Sequence, residues 1–250
     1  MKKTVFYFHG NNAALEYAAA YLHHAGATVV LTPGPDVTHL VLPVPSFDED
    51  GRIRGGGSIF GILGELSEDV TVIGGGLGNG LLAQYHAVDL LHNPDYVTAN
   101  AAITAHCCVK LLYQRLPAVP ADIKMLIIGW GRIGKCLARL LRGLDVNVTV
   151  AARNPRDRAM LGALGFDAAD PGNLDLQGYR VIINTAPAQV LTESQASAFR
   201  ELKIDLASTV GIPGADVVRA RGLPGRDAPE SAGNLIGRTI LRLVQKEVAS

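Results

Sequence analysis

Short apolar runs broken by glycine-rich turns set the rhythm of this chain. Met125-Leu126-Ile127-Ile128 enters Gly129-Trp130-Gly131-Arg132-Ile133-Gly134, a helical stretch from Lys135 to about Gly143 follows, and a second β-rich run covers Val146 to Ala152. Continuous apolar runs bounded by turn residues predict strands buried on both faces, and their alternation with helices predicts a parallel sheet. The same alternation opens the chain. Thr4–Phe8 reads as a strand, His9-Gly10-Asn11-Asn12 as a turn, and Ala13–Ala25 as a helix ended by Gly26. Ala27–Leu31, Thr38–Val44 and Val70–Ile73 read as further strands, with a short helix near Ile59–Leu66.

Between these elements, Ser46–Gly57 is polar and glycine-rich and reads as an exposed loop. A helix is predicted from about Ala101 to Leu116, closed by Pro117-Ala118-Val119-Pro120. Later elements are a helix at Arg156–Leu164, strands at Tyr179–Ile183 and Lys203–Leu206, and a final amphipathic helix over Ala228–Val248. The resulting fold class is α/β, with a small N-terminal flavodoxin-like domain over 1–99 and an interdomain helix and linker over 100–120. A C-terminal Rossmann NAD(P)-binding domain follows over 121–226.

Strand, glycine turn, helix and strand in that order form the context a dinucleotide fingerprint needs. Gly129 makes the tight turn, Gly131 lets the backbone approach a pyrophosphate, and Gly134 lets helix and strand pack closely. The N–H groups at the helix start, at Arg132, Ile133 and Gly134, then face an anion. An NAD site usually carries an acid about twenty residues beyond the first glycine, where it accepts bonds from the ribose hydroxyls. Here Ala151-Ala152-Arg153-Asn154 stands there instead. Arg153, with Arg156 and Arg158 behind it, suits a 2′-phosphate, so NADP is the expected cofactor. The alternative is a solvated arginine surface.

Composition narrows the class without naming the chemistry. The chain has 250 residues, 48% hydrophobic and 18% charged, which is globular. Lys plus Arg equals Asp plus Glu at 23 each, so no basic excess argues for nucleic acid or anionic lipid. Three cysteines, with Cys107 and Cys108 adjacent, make no disulfide framework. Without a membrane-length apolar stretch or a convincing signal segment, a cytoplasmic protein is expected.

The remaining chemistry is sparse. His106-Cys107-Cys108 invites a metal reading, but neighbours on a helix point about a hundred degrees apart, so no metal is expected. Gly74-Gly75-Gly76-Leu77-Gly78-Asn79-Gly80 lacks the GxGxxG spacing and is assigned instead to a ligand cleft at a strand's carboxyl end. Asn100, Thr104, Thr185 and Ser208 sit at strand ends or helix starts, where capping is the common role. His106, with an intrinsic pKa near neutrality, is the default acid/base candidate.

These blocks together resemble the A-subunit family of dipicolinate synthase. The resemblance rests on Leu40-Val41-Leu42-Pro43-Val44, on Asn100 and Thr104-Ala105, and on Gly129-x-Gly131-Arg132-x-Gly134 with Ala152-Arg153. It continues through Ile183-Asn184-Thr185-x-Pro187 and Asp205-Leu206-Ala207-Ser208. Most specific is Gly222-Leu223-Pro224-Gly225-x-x-Ala228-Pro229-x-x-Ala232-Gly233. Coverage is strong from about Asn100 onward and thin before it. The family implies a substrate domain, then a Rossmann domain, with the last helix (227–250) returning to the first domain. Its activity is pyridine-nucleotide-dependent oxidation of a dihydrodipicolinate-type compound to dipicolinate during sporulation. A flavoprotein-like B subunit is its usual partner, and a homo-oligomer is expected.

On that resemblance Gly129, Gly131, Arg132, Ile133, Gly134, Arg153 and Asn154 bind the cofactor, and Thr185 and Pro187 flank its nicotinamide. Thr104 and Ser208 would hold a small dicarboxylate, while His106 stays the acid/base candidate on its own chemistry and not on the resemblance. The chain departs from the family in three ways: it looks shorter, with one crossover trimmed between Ser208 and Gly222; His106 stands where an acid is usual; and Ile103 replaces a proline. Two rivals stay open, another NADP-dependent dehydrogenase of shikimate or hydroxyacid type and a nucleotide-binding subunit without chemistry of its own.

Overall fold

The computed structural model describes residues 3–78, 80 and 82–249. It divides into two compact units, the first built from the chain up to Asn100 together with Pro224 onward, the second from Ala101–Leu223.

The first unit holds β1 (Val5–Phe8), α1 (Ala13–His24), β2 (Thr28–Val30), β3 (His39–Val41), α2 (Ile59–Leu63), β4 (Thr71–Gly74) and β5 (His86–Asp89). All pairings are parallel and the order is β2-β1-β3-β4-β5, the flavodoxin-like order. Every residue of β3 is buried, as expected of a central strand with both faces covered. Strand β5 escapes the periodicity because it is an edge strand of mixed character, half of it exposed.

Helix α3 (Pro94–Arg115) starts seven residues before the expected Ala101 (101 − 94), and the reason is local. The Asn93 side chain accepts from the Tyr96 N–H at 3.0 Å, and Pro94 supplies a preset φ at the first helical position. An Asn-Pro pair is thus the start signal that periodicity alone overlooks.

The second unit follows with β6 (Lys124–Ile128), α4 (Arg132–Arg142), β7 (Asn147–Ala151) and α5 (Pro155–Ala163). It continues with β8 (Asp167–Ala169), β9 (Val181–Asn184), α6 (Glu193–Ala198), β10 (Leu202–Asp205) and β11 (Val218–Arg219). Its parallel sheet runs β11-β10-β9-β6-β7-β8, the doubly wound Rossmann order with its switch point between β6 and β9. Leu126, Ile128 and Ile182 form its core with Leu191, Phe199 and Ile212. The passage from β10 to β11 carries no helix, so that crossover is a loop.

Helix α7 (Leu223–Asp227) and α8 (Pro229–Ala249) end the chain, and α8 lies against α1. Its packing is close because two glycines face α1. A Cβ on Gly233 would stand 2.3 Å from the Ala14 carbonyl oxygen, and one on Gly237 2.9 Å from Tyr21 Cβ. Among the described residues no helix is long and apolar enough to cross a membrane.

Candidate functional site

The apolar strand β6 delivers the chain into its glycine turn at the carboxyl edge of the second sheet, on the switch point. Gly129 has φ +114°, a conformation that a side chain rarely adopts, and a Cβ there would lie 2.5 Å from Thr185 Oγ1. Gly134 is tighter still, since its Cβ would fall 2.2 Å from the Gly129 carbonyl oxygen. By contrast, a Cβ on Gly131 would meet nothing within 4 Å. Two glycines therefore serve packing, and the third keeps the approach to the first turn of α4 unobstructed.

Gly131 is the N-cap of α4 and offers no side-chain acceptor to the first-turn N–H groups, while the first turn holds no acid. Arg132 and Lys135 are exposed there. Helix dipole, uncapped donors and nearby cations together suit an anion such as a pyrophosphate. Thr185 fastens the turn from the far side, its hydroxyl donating toward the carbonyls of Ile128 at 3.2 Å and Gly129 at 3.3 Å. Pro187 is exposed in the turn that follows.

At the end of β7, Arg153 is exposed and its guanidinium makes no hydrogen bond or ion pair among the described residues. Arg156 is exposed and unengaged likewise. Arg158, read from the sequence as part of the same clamp, is otherwise committed. It donates to the carbonyls of Ala152 and Arg153, each at 2.7 Å, and pairs with Asp170 at 3.0 Å. Asn154 caps α5, accepting from the Arg156 N–H at 2.9 Å. Arg158 and Asn154 therefore shape the strand end that presents Arg153.

The three catalytic candidates do not converge in the same way. Thr104 is buried on α3, whereas His106, two residues on, is exposed. Residues two apart on a helix face away from one another, so Thr104 is not available beside His106 to hold a substrate. Ser208 is exposed in the loop after β10. Cys107 and Cys108 are buried, and burial, with Cys107 beside it, pushes the Cys108 thiol up to about 12. That thiol stays protonated near neutral pH.

The first half of the glycine loop after β4 is held by internal hydrogen bonds. Gly75 N–H donates to the buried Ser46 hydroxyl at 2.9 Å. The Asp89 carboxylate takes the N–H groups of Gly76 at 3.1 Å, Leu77 at 2.9 Å and Leu91 at 2.8 Å. Burial alone raises the Asp89 pKa, but those three donors and the nearby His92 more than offset it and hold the group below its usual value. These bonds tie Gly75, Gly76 and Leu77 to Ser46 and Asp89, and Asn79, within the stretch assigned from sequence to a ligand cleft, lies outside the described residues.

Two side chains that the sequence reading quoted but gave no role stand next to Thr185 and near Ser208 in the chain. Asn184 and Asp205, at the ends of β9 and β10, are both buried and bonded to one another at 2.9 Å. Arg219 of β11 donates to the same carboxylate at 2.8 Å. The available signal was a carboxylate ending a strand of a parallel sheet, where burial requires partners.

Sheet order and loop geometry first define a class, an α/β chain whose second unit is a doubly wound Rossmann sheet with a GxGxxG loop at its switch point. Within that class it resembles the A subunit of dipicolinate synthase. The Bacillus subtilis (strain 168) protein of that name is 27% identical over 238 residues, 85% of this chain and 79% of the relative. The crystal structure of its Bacillus halodurans counterpart superposes with TM-score 0.83 at 21% identity, covering 97% of this chain and 98% of that one. A transhydrogenase from Sinorhizobium meliloti shares the fold with TM-score 0.69 at 13% identity, over 99% of this chain and 94% of that chain. No family model matches the chain.

Proposed function

We propose that this chain is an NADP-dependent oxidoreductase that oxidises a dihydrodipicolinate-type ring dicarboxylate to dipicolinate. The observation that carries the cofactor half is the unengaged Arg153 at the end of β7, where an acid would bind an unphosphorylated ribose. The substrate half rests on the resemblance to the A subunit of dipicolinate synthase. Gly129–Gly134 would hold the pyrophosphate, Arg153 and Arg156 the 2′-phosphate, and the Thr185–Pro187 turn with Ser208 would border the nicotinamide.

When bound, the oxidised nicotinamide supplies an acceptor for the hydride lost by the ring. The residues of the chain orient the ring and take the second hydrogen as a proton, for which exposed His106 is the proposed base. Ser208 replaces Thr104 as the hydroxyl open to a carboxylate, because Thr104 is buried. The proposal extends to a cytoplasmic homo-oligomer working with a flavoprotein-like B subunit.

The test is a titration of NADPH and NADH against wild type and Arg153→Ala, read through Trp130, the one tryptophan of the chain. Tight NADPH binding that weakens at least tenfold in the variant, about 1.4 kcal/mol, is expected, followed by NADP-dependent oxidation of the dihydro compound. Binding of neither nucleotide removes the enzyme reading. It would leave the second one, a subunit without chemistry of its own, which the failure of Thr104 and His106 to converge favours.

A further inference from the structure

We propose that Asp205 is the positioning residue of the nicotinamide side, an inference that rests on the cofactor reading above. Asp205 ends β10 at 2% exposure, and its carboxylate is surrounded by donors. Oδ1 accepts from Asn184 Nδ2 at 2.9 Å and from the Ala207 N–H at 3.2 Å. Oδ2 accepts from the N–H groups of Gly211 at 2.8 Å and Ile212 at 3.2 Å, and from Arg219 at 2.8 Å. With these partners the carboxylate is fully engaged inward. It acts on a ligand only through the backbone it fixes.

That backbone is the carboxyl rim of β9 and β10. Asn184 passes the constraint on, its Oδ1 accepting from the Ala186 N–H at 2.9 Å and its Nδ2 donating to the Ala186 carbonyl at 3.1 Å. Gly211 closes the circuit from the other loop, its carbonyl accepting from the Val190 N–H at 2.8 Å. The fit there is tight, since a Cβ on Gly211 would stand 2.1 Å from Asn184 Nδ2 and 2.7 Å from the Ala188 carbonyl oxygen. One buried charge thus locks the 184–188 turn and the 207–212 loop to each other.

In a doubly wound sheet a dinucleotide crosses the switch point, with its adenosine half over the β6–β7 side and its nicotinamide half over the β9–β10 side. Pro187 and Ser208, exposed on the two locked loops, therefore border the nicotinamide half. Productive hydride geometry tolerates only a fraction of an ångström of error, and a saturated buried carboxylate supplies that rigidity. Arg153 lies on the other half, so disturbing Asp205 has to separate the two ends of the cofactor.

The experiment compares NADPH with 2′,5′-ADP, which carries the adenosine end alone, on wild type, Asp205→Asn and Gly211→Ala. The alanine disturbs the same two loops by steric pressure and leaves the carboxylate in place. In both variants the dissociation constant of NADPH is expected to rise at least tenfold and that of 2′,5′-ADP to stay within twofold. The emission anisotropy of the bound reduced nicotinamide should fall as that ring loosens. Parallel weakening of both ligands, or of neither, overturns the inference and makes Asp205 a residue of general stability. If Asp205→Asn does not fold, Gly211→Ala decides by the same criterion. Failure of wild type to bind either ligand brings down the cofactor reading itself, a result distinct from equal effects in the variants.

Discussion

Arg153 and Arg158 are five residues apart (158 − 153) and chemically identical, yet they do different work. Arg158 is 24% exposed in its side chain and spends its guanidinium on two backbone carbonyls and on Asp170, whereas Arg153 offers its own to solvent. The sequence shows three arginines in a cluster; which of them is bound inward depends on where β8 brings Asp170, a tertiary fact. The energetic consequence can be ranked. Asp170 is half exposed, so Asp170→Asn should cost under about 1 kcal/mol, as surface ion pairs do. Arg158→Met removes two charge-assisted bonds to carbonyls and should cost about 1.5–3 kcal/mol. Urea unfolding of the two variants checks the order, and an equal or larger loss in Asp170→Asn would refute the division of roles. The glycines of the fingerprint were legible individually because their reasons are steric and local. Asn184 and Asp205 were less so, since their partners lie up to 21 residues away.

Among the elements, legibility followed length and burial. Strands β6 and β9 show continuous apolar runs, β7 and β10 are buried strands of mixed character, and the expected and observed bounds of all four agree to within a residue or two. β8 (Asp-Ala-Ala, largely exposed) and β11 (two residues) have no room to display a period. α6 is only six residues long, but its capping box between Thr192 and Gln195 is a start signal that spacing alone would have shown. The resemblance implied only that the last helix returns to the first domain; the contact of α8 with α1 has a physical cause in Gly233 and Gly237, small residues four apart that bring the two helix backbones close. At Gly233 an added methyl would meet the Ala14 carbonyl at 2.3 Å and Tyr17 Cβ at 2.5 Å, backbone-anchored atoms that cannot swing away. Gly233→Ala should therefore cost about 1–3 kcal/mol as an overpacking change, despite the better helix propensity of alanine. Gly225→Ala in α7 is the control, because a Cβ there meets nothing within 4 Å. Thermal unfolding of the pair should show a lower midpoint for the first and little change for the second. A neutral Gly233→Ala would mean the helices pack less closely than described.

At the level of the whole molecule, the chain leaves the first unit, completes the second, and returns to the first with its last 27 residues (250 − 223). The two parallel sheets were foreseeable from alternation, but this discontinuity was visible only through family resemblance, since nothing local in an amphipathic helix names the surface it will cover. Its energetic weight is large. Leu235, Ile236 and Ile240 of α8 are buried, and at about 1.5–3 kcal/mol each they contribute on the order of 5–9 kcal/mol. That is comparable with the whole stability of a typical domain, about 5–15 kcal/mol. A chain ending at Leu223 should then lose its first unit while the second, whose segment from Ala101 is continuous, keeps its sheet and its glycine loop. Hydrogen exchange reads both at once. Amides of β1, β3 and β4 should exchange at near-unfolded rates, while those of β6, β9 and β10 stay protected and 2′,5′-ADP binding persists. Uniform loss of protection would show that the second unit does not stand without the first. Full retention in β1 and β3 would show that α8 covers the first unit without holding it together.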